Sequence, residues 1–163
     1  MPVNETTPDL GLELPHVVNS GEHDVERVRN ALGRIDTLLS AALDVEWLIS
    51  LTAPSGDAED GAGIESFVLG FTVEGIDVSM HCATAPTGSA LVADVNGGGA
   101  SILGNKLTID AGETSTDTAA TPPTVITSSL AAGTVVTLDV DQIGATTPGA
   151  GVKVRLRARR VVP

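Results

Sequence analysis

The chain has no tyrosine, one tryptophan and two phenylalanines in 163 residues. Aromatic rings supply much of the energy of sugar- and base-stacking surfaces, so their scarcity argues against such a site and against a deep ligand pocket. Cysteine is as scarce: Cys82 stands alone, which excludes an internal disulfide and offers no metal-ligand spacing. Basic residues are few and crowded together. Of nine, Lys153, Arg155, Arg157, Arg159 and Arg160 fall within the last eleven positions, leaving 21 acids against four bases, or −17, elsewhere in a chain of net charge −12. An acidic body of this kind repels nucleic acid. No apolar run approaches the roughly 18 residues of a membrane span, and the polar, acidic opening lacks the basic and apolar regions of a signal peptide. The expectation is a soluble chain made in a reducing cytoplasm, with neither nucleic acid nor membrane as partner.

What is abundant is small: 18 glycines, with many Ala, Thr and Val. The length allows one ordinary domain with an appendage, its core built from small aliphatics. Residues 1–20 carry three prolines and no sustained period, so they read as an extended arm. A helix is expected over 21–44, with Ser20 and Asp24 as candidate N-caps. Its apolar residues recur three and four apart, with Val25, Leu32 and Leu39 at heptad a and Val28, Ile35 and Ala42 at d. Leu at a with Ile at d favours three or four strands over two. A trimer interface of Val25, Val28, Leu32, Ile35 and Leu39 therefore competes with packing of the helix on its own β-domain. Gly33, mid-helix, costs about 1 kcal/mol relative to Ala, which makes a packing partner more necessary.

From residue 45 to 163 the pattern is β. Strands are expected at 45–52, 66–73, 76–83, 90–95, 101–109, 124–128, 134–140 and 151–161, with turn chemistry at 53–63, 74–75, 85–89, 96–99, 110–113 and 146–151. With no helices between them the sheets should be antiparallel. The predicted fold is thus mainly β: an N-terminal extended arm and one α-helix, then a jelly-roll-like antiparallel sandwich of about eight strands. The irregular stretch 114–123 is expected to cross an end of the sandwich.

Catalytic chemistry is hard to assemble from these residues. Cys82 follows Ile76, Val78 and Met80 in an alternating run, which makes it a core residue, and His81 leaves the opposite face of the strand, so the two form no dyad. His16 and His23 stand in no zinc-like spacing. Asp139 and Asp141 share a strand face, a placement known from glycosidases and cation sites, but with Val136, Leu138 and Val140 directed to the core they read as a solvated face. They are also candidates to lie opposite the basic C-terminal strand. The acidic, glycine-rich loop with Asp57, Glu59 and Asp60 lacks the full alternating ligand series of a calcium loop, and Asn96 to Gly99 read as a hairpin turn rather than a phosphate cradle. No catalytic, cofactor-binding or metal constellation is expected. In the C-terminal strand Val152, Val154, Leu156 and Ala158 alternate with Lys153, Arg155, Arg157 and Arg159. Four cations on one face repel one another, and cross-strand acids or a partner must relieve them.

Two stretches carry a family resemblance. TPDLGLELPH at 7–16, followed by DVERVRNALGRIDTLL, resembles the N-terminal segment of structural proteins of tailed bacteriophages and prophages. There a Gly-Leu-Pro arm precedes a helix whose pattern is met here by Asp24, Val25, Arg27, Arg29, Ala31, Leu32, Ile35 and Asp36. The second half is similar to a β-domain that recurs in phage fibre and head-surface proteins, in the words Ala85-Pro86-Thr87-Gly88, Asp94-Val95-Asn96, Ser101-Ile102-Leu103, Asp139 to Gly144 and Gly149-Ala150-Gly151. The C-terminal strand is more basic than that pattern. The resemblance implies a non-enzymatic virion protein, a head decoration or head fibre or a short tail fibre. Its arm would clamp a capsid or tail protein through Leu10, Leu12, Leu14 and Pro15, its helix would make a homotrimer, and its sandwich would be displayed on the particle. The alternative is a carbohydrate-binding module that attaches the particle to a host surface polysaccharide.

Overall fold

The computed structural model describes residues 21–162, with backbone only for 21–24 and 39–42. Leu10, Leu12, Leu14, Pro15 and Ser20 lie outside the described residues. The chain divides into two compact units, Met1–Leu43 and Asp44–Pro163.

The first unit holds one helix, α1 (Gly21–Leu43). It ends one residue short of the predicted boundary, because Asp44 already opens the first strand. The Thr37 hydroxyl donates to the Gly33 carbonyl at 2.9 Å, a bond of one helical turn.

Eleven strands follow among the described residues: β1 (Asp44–Ser50), β2 (Gly61–Val68), β3 (Val73–His81), β4 (Leu91–Gly97), β5 (Ala100–Ser101), β6 (Leu103–Asn105), β7 (Leu107–Ile109), β8 (Thr124–Val125), β9 (Ser129–Leu130), β10 (Val135–Gln142) and β11 (Lys153–Arg160). Among the described residues every strand pairing is antiparallel. One sheet runs β1-β11-β3-β9 and the other β2-β10-β4-β5, with β7 also on β4 and β6 paired to β8. Taking β5 to β7 together as the fifth strand and β9 as the sixth, the orders become 1-8-3-6 and 2-7-4-5, which are the two interlocked Greek keys of a jelly roll.

Alternation builds the core. Val73, Ile76, Val78 and Met80 of β3 and Val154, Leu156 and Ala158 of β11 are buried in one cluster with Leu91, Ala93 and Val95 of β4 and Val136, Leu138 and Val140 of β10. These are inward faces of two sheets packed on each other. Their outward neighbours are mostly polar residues of the same strands, with Val92 and Val135 as apolar exceptions.

Several expectations need correction. The second strand occupies Gly61–Val68 rather than 66–73, since Gly61 pairs with Val140 and Gly63, at φ +63°, sits in an irregularity of the β10–β2 ladder. Phe71 consequently lies in the turn between β2 and β3, not in a strand. Glu74-Gly75, read as a turn, is a bulge inside β3: two residues between Glu74 and Asp77, Gly75 and Ile76, face the single Ala158 between Arg157 and Arg159, and Gly75 takes φ +60°. Glycine reads as punctuation in both places, yet it marks a bulge. The expected strand 101–109 is broken into pieces, and 124–128 into β8 with β9 beyond it.

The stretch 114–123, expected to cross an end of the sandwich, begins along the outer edge of β3, where the Cys82 N–H donates to the Thr114 carbonyl at 2.9 Å and the Met80 N–H to the buried Thr116 hydroxyl at 3.0 Å, and continues past Asp110 and Asn105, which bond the Ala120 N–H and the Pro122 carbonyl. Its 3₁₀ turn, Thr116–Thr118, is capped by the Ser115 hydroxyl. This edge is covered, as exposed edges generally must be. The turn at Asn96 to Gly99 is a hairpin, as expected: Gly97 pairs with Ala100, and both residues between them, Gly98 and Gly99, have positive φ, the requirement of a tight type I′ turn.

Candidate interaction surfaces

On α1 the predicted seam is solvent-facing in the single chain. Val25 is 58% exposed, Val28 42% and Leu32 61%, while Ile35 is half-buried. Leu39, the remaining residue of the predicted interface, has no described side chain. Leu38, at 49%, belongs to the same apolar flank and was not among the predicted residues. It occupies the heptad g position, which widens a helical stripe beyond strict a and d spacing. Among the described residues no helix is long and apolar enough to cross a membrane.

The basic strand β11 lies between β1 and β3, and the register fixes its neighbours. Arg157 faces Glu46 and Asp77; Arg159 faces Asp44 and Glu74. Arg155 instead faces Leu48 and Ser79, and Lys153 faces Ser50 and His81. Half of the cation row is therefore relieved by cross-strand acids and half is not. The relief is weak where it can be measured, since the Arg157 Nε to Glu46 Oε2 separation is 3.6 Å and both side chains are 53% exposed. Asp139 and Asp141 are not the acids opposite this strand, because β10 belongs to the other sheet.

Those two aspartates join a polar network on the outer face of that second sheet. Lys106 Nζ lies 2.9 Å from Asp141 Oδ2 and 3.0 Å from Asp94 Oδ2. The side chain of Asp94 is 7% exposed, and its Oδ1 accepts from the Ser101 hydroxyl at 2.7 Å. Asp139, the Cα partner of Asp94, accepts from Asn96 Nδ2 at 2.7 Å and from the Gly63 N–H. Two carboxylates face each other across the ladder, a repulsive pairing that Lys106 and Asn96 offset. Hydrogen bonds to Asp141, then to Asp94, hold the Lys106 ammonium above the usual lysine range. A lysine so charged is a cross-link between strands and a poor nucleophile.

The chain's three aromatics meet on one side of the sandwich. Trp47 of β1 stacks on Phe67 of β2, with ring centroids 5.8 Å apart, and on Phe71 at 6.1 Å. Arg160 covers the outer side of Phe71 at 4.8 Å. All three rings are half-buried. A groove of about 560 Å³ runs over Trp47 and Phe67, lined also by Glu46, Leu48, Ile49 and Glu65 with two serines. The faces on which a sugar would stack are thus occupied largely by the neighbouring rings.

Cys82 is buried and His81 exposed, and burial pushes the Cys82 thiol above its ordinary value, away from the reactive thiolate. Asp57, Glu59 and Asp60 are all exposed. Among the described residues no group of three or more His, Cys, Asp or Glu side chains is arranged to hold a metal ion. No protein family, curated protein or solved structure matches the chain.

Proposed function

We propose that the protein is a non-enzymatic structural component of a tailed-phage virion: a homotrimer joined through α1, anchored to a capsid or tail protein by its N-terminal arm, and displaying its jelly-roll sandwich on the particle. The observation that carries this reading is the apolar stripe of Val25, Val28, Leu32 and Leu38, exposed in the single chain while the β unit has a complete core of its own. A stripe of that spacing is removed from water most readily by copies of itself. The arm-and-helix resemblance supplies the setting, and the β-domain resemblance supplies the surface role.

Gold-labelled antibody against the chain, applied to intact particles and viewed by electron microscopy, tests the role. Label over the head makes the protein a decoration or head fibre, and label on the tail makes it a short fibre. Particles that carry the protein's gene and bind no label overturn the virion reading.

A further inference from the structure

The two sides of the sandwich differ. On one side β9 and the 114–118 stretch cover the outer edge of β3. On the other, β1 and β2 are the terminal strands of their sheets, and among the described residues neither outer edge has a backbone partner. These are seven- and eight-residue edges, long enough to invite pairing. Between them lie the chain's only aromatic side chains, half-buried, and beside them Leu48 is 57% exposed. Scarce aromatics gathered at an open seam mark an interface more than a free surface.

Resting on the trimer reading above, we propose that this β1/β2 side is a second subunit contact, in which a neighbouring copy of the chain covers the Trp47, Phe67 and Phe71 cluster. Chain continuity argues for a second copy over any other occupant. No residue separates Leu43 of α1 from Asp44 of β1, so helices that bundle carry the β1 strands of their subunits together at one end, whatever angle the two units adopt. Charge argues for the same occupant. A ring of three needs two different complementary patches on each copy. The Leu48–Ser50 end of β1 is bordered by the unrelieved cations Arg155 and Lys153, whereas β2 carries Glu65 and is preceded by Glu59 and Asp60. The basic border of one copy faces the acidic border of the next.

Trp47 is the only tryptophan, so its fluorescence reports on this side of the sandwich. Acrylamide quenching is measured on the full chain and on its L32D/I35D variant, with the mass of each fixed by light scattering and the fold of the β unit checked by thermal unfolding. The contact predicts a trimeric full chain whose Trp47 is quenched several-fold less than in the monomeric variant. It also predicts that Leu48→Asp raises severalfold the concentration below which the trimer dissociates, while leaving the unfolding of the L32D/I35D monomer unchanged. A trimer whose Trp47 is quenched as readily as the monomer's overturns the contact and leaves the helix trimer standing. Equal shielding in both overturns it in favour of a cover within one copy, such as the arm, and a monomeric full chain overturns the trimer and the contact together.

Discussion

Gly144 sits where no side chain fits. A Cβ there would lie 1.9 Å from the Thr147 carbonyl oxygen and 2.9 Å from the Thr87 backbone nitrogen, both parts of the knot of loops at one end of the sandwich. That knot is tied by backbone bonds between Thr87 and Thr147, Thr84 and Ala150, and Gly144 and Pro148. Gly144→Ala must force backbone apart, and we expect a loss of about 2–4 kcal/mol in urea unfolding. Gly112→Ala, at φ +87° with open space around it, should lose only about 1 kcal/mol from the left-handed conformation. Lys106 provides a contrasting case in which charge decides. Lys106→Met leaves the nearly buried Asp94 without its cation, and a loss of about 1–2 kcal/mol is expected near neutrality. Because its pKa is raised in the folded chain, the stability it adds is present below the ordinary lysine value of about 10.4 and is lost as pH rises through the folded value. The parent should therefore show a fall in unfolding midpoint above about pH 10.5 that the variant lacks in part. The partners of Lys106 were not legible in the sequence, because Asp94 and Asp141 are brought to it only by pairing of β4 with both β7 and β10.

At the scale of elements, α1 carries its own test. A Cβ on Gly33 meets nothing within 4 Å, and the position lies off the a and d seam. Gly33→Ala should stabilise the helix by about 0.5–1 kcal/mol, read as a higher thermal midpoint of the helical signal in circular dichroism. The helix and the main strands could be read from the chain because their periods are clean: three and four in α1, two in β3, β10 and β11. The inward set of Val136, Leu138 and Val140 and the burial of Cys82 follow from that alternation alone. What escaped was governed by backbone context. Gly63 and Gly75 look like turn residues in a linear string, and only the partner strand reveals them as irregularities within ladders. The acids that neutralise Arg157 and Arg159 escaped for a related reason, since charge pattern shows that a row needs partners but topology chooses between Asp139 and Asp141 on one sheet and Glu46 and Asp77 on the other.

For the whole molecule, the division at Leu43 and Asp44 separates an exposed apolar helix from a sandwich with a finished core. Substitutions on the helix stripe should change assembly and leave the sandwich intact, which is the behaviour of an oligomerising segment rather than of a core element. The most direct measurement is the solution mass of the full chain beside its L32D/I35D variant, by sedimentation equilibrium. Three chain masses for the parent and one for a variant whose β unit still unfolds cooperatively is the predicted result; a parent that sediments as a single chain contradicts the account.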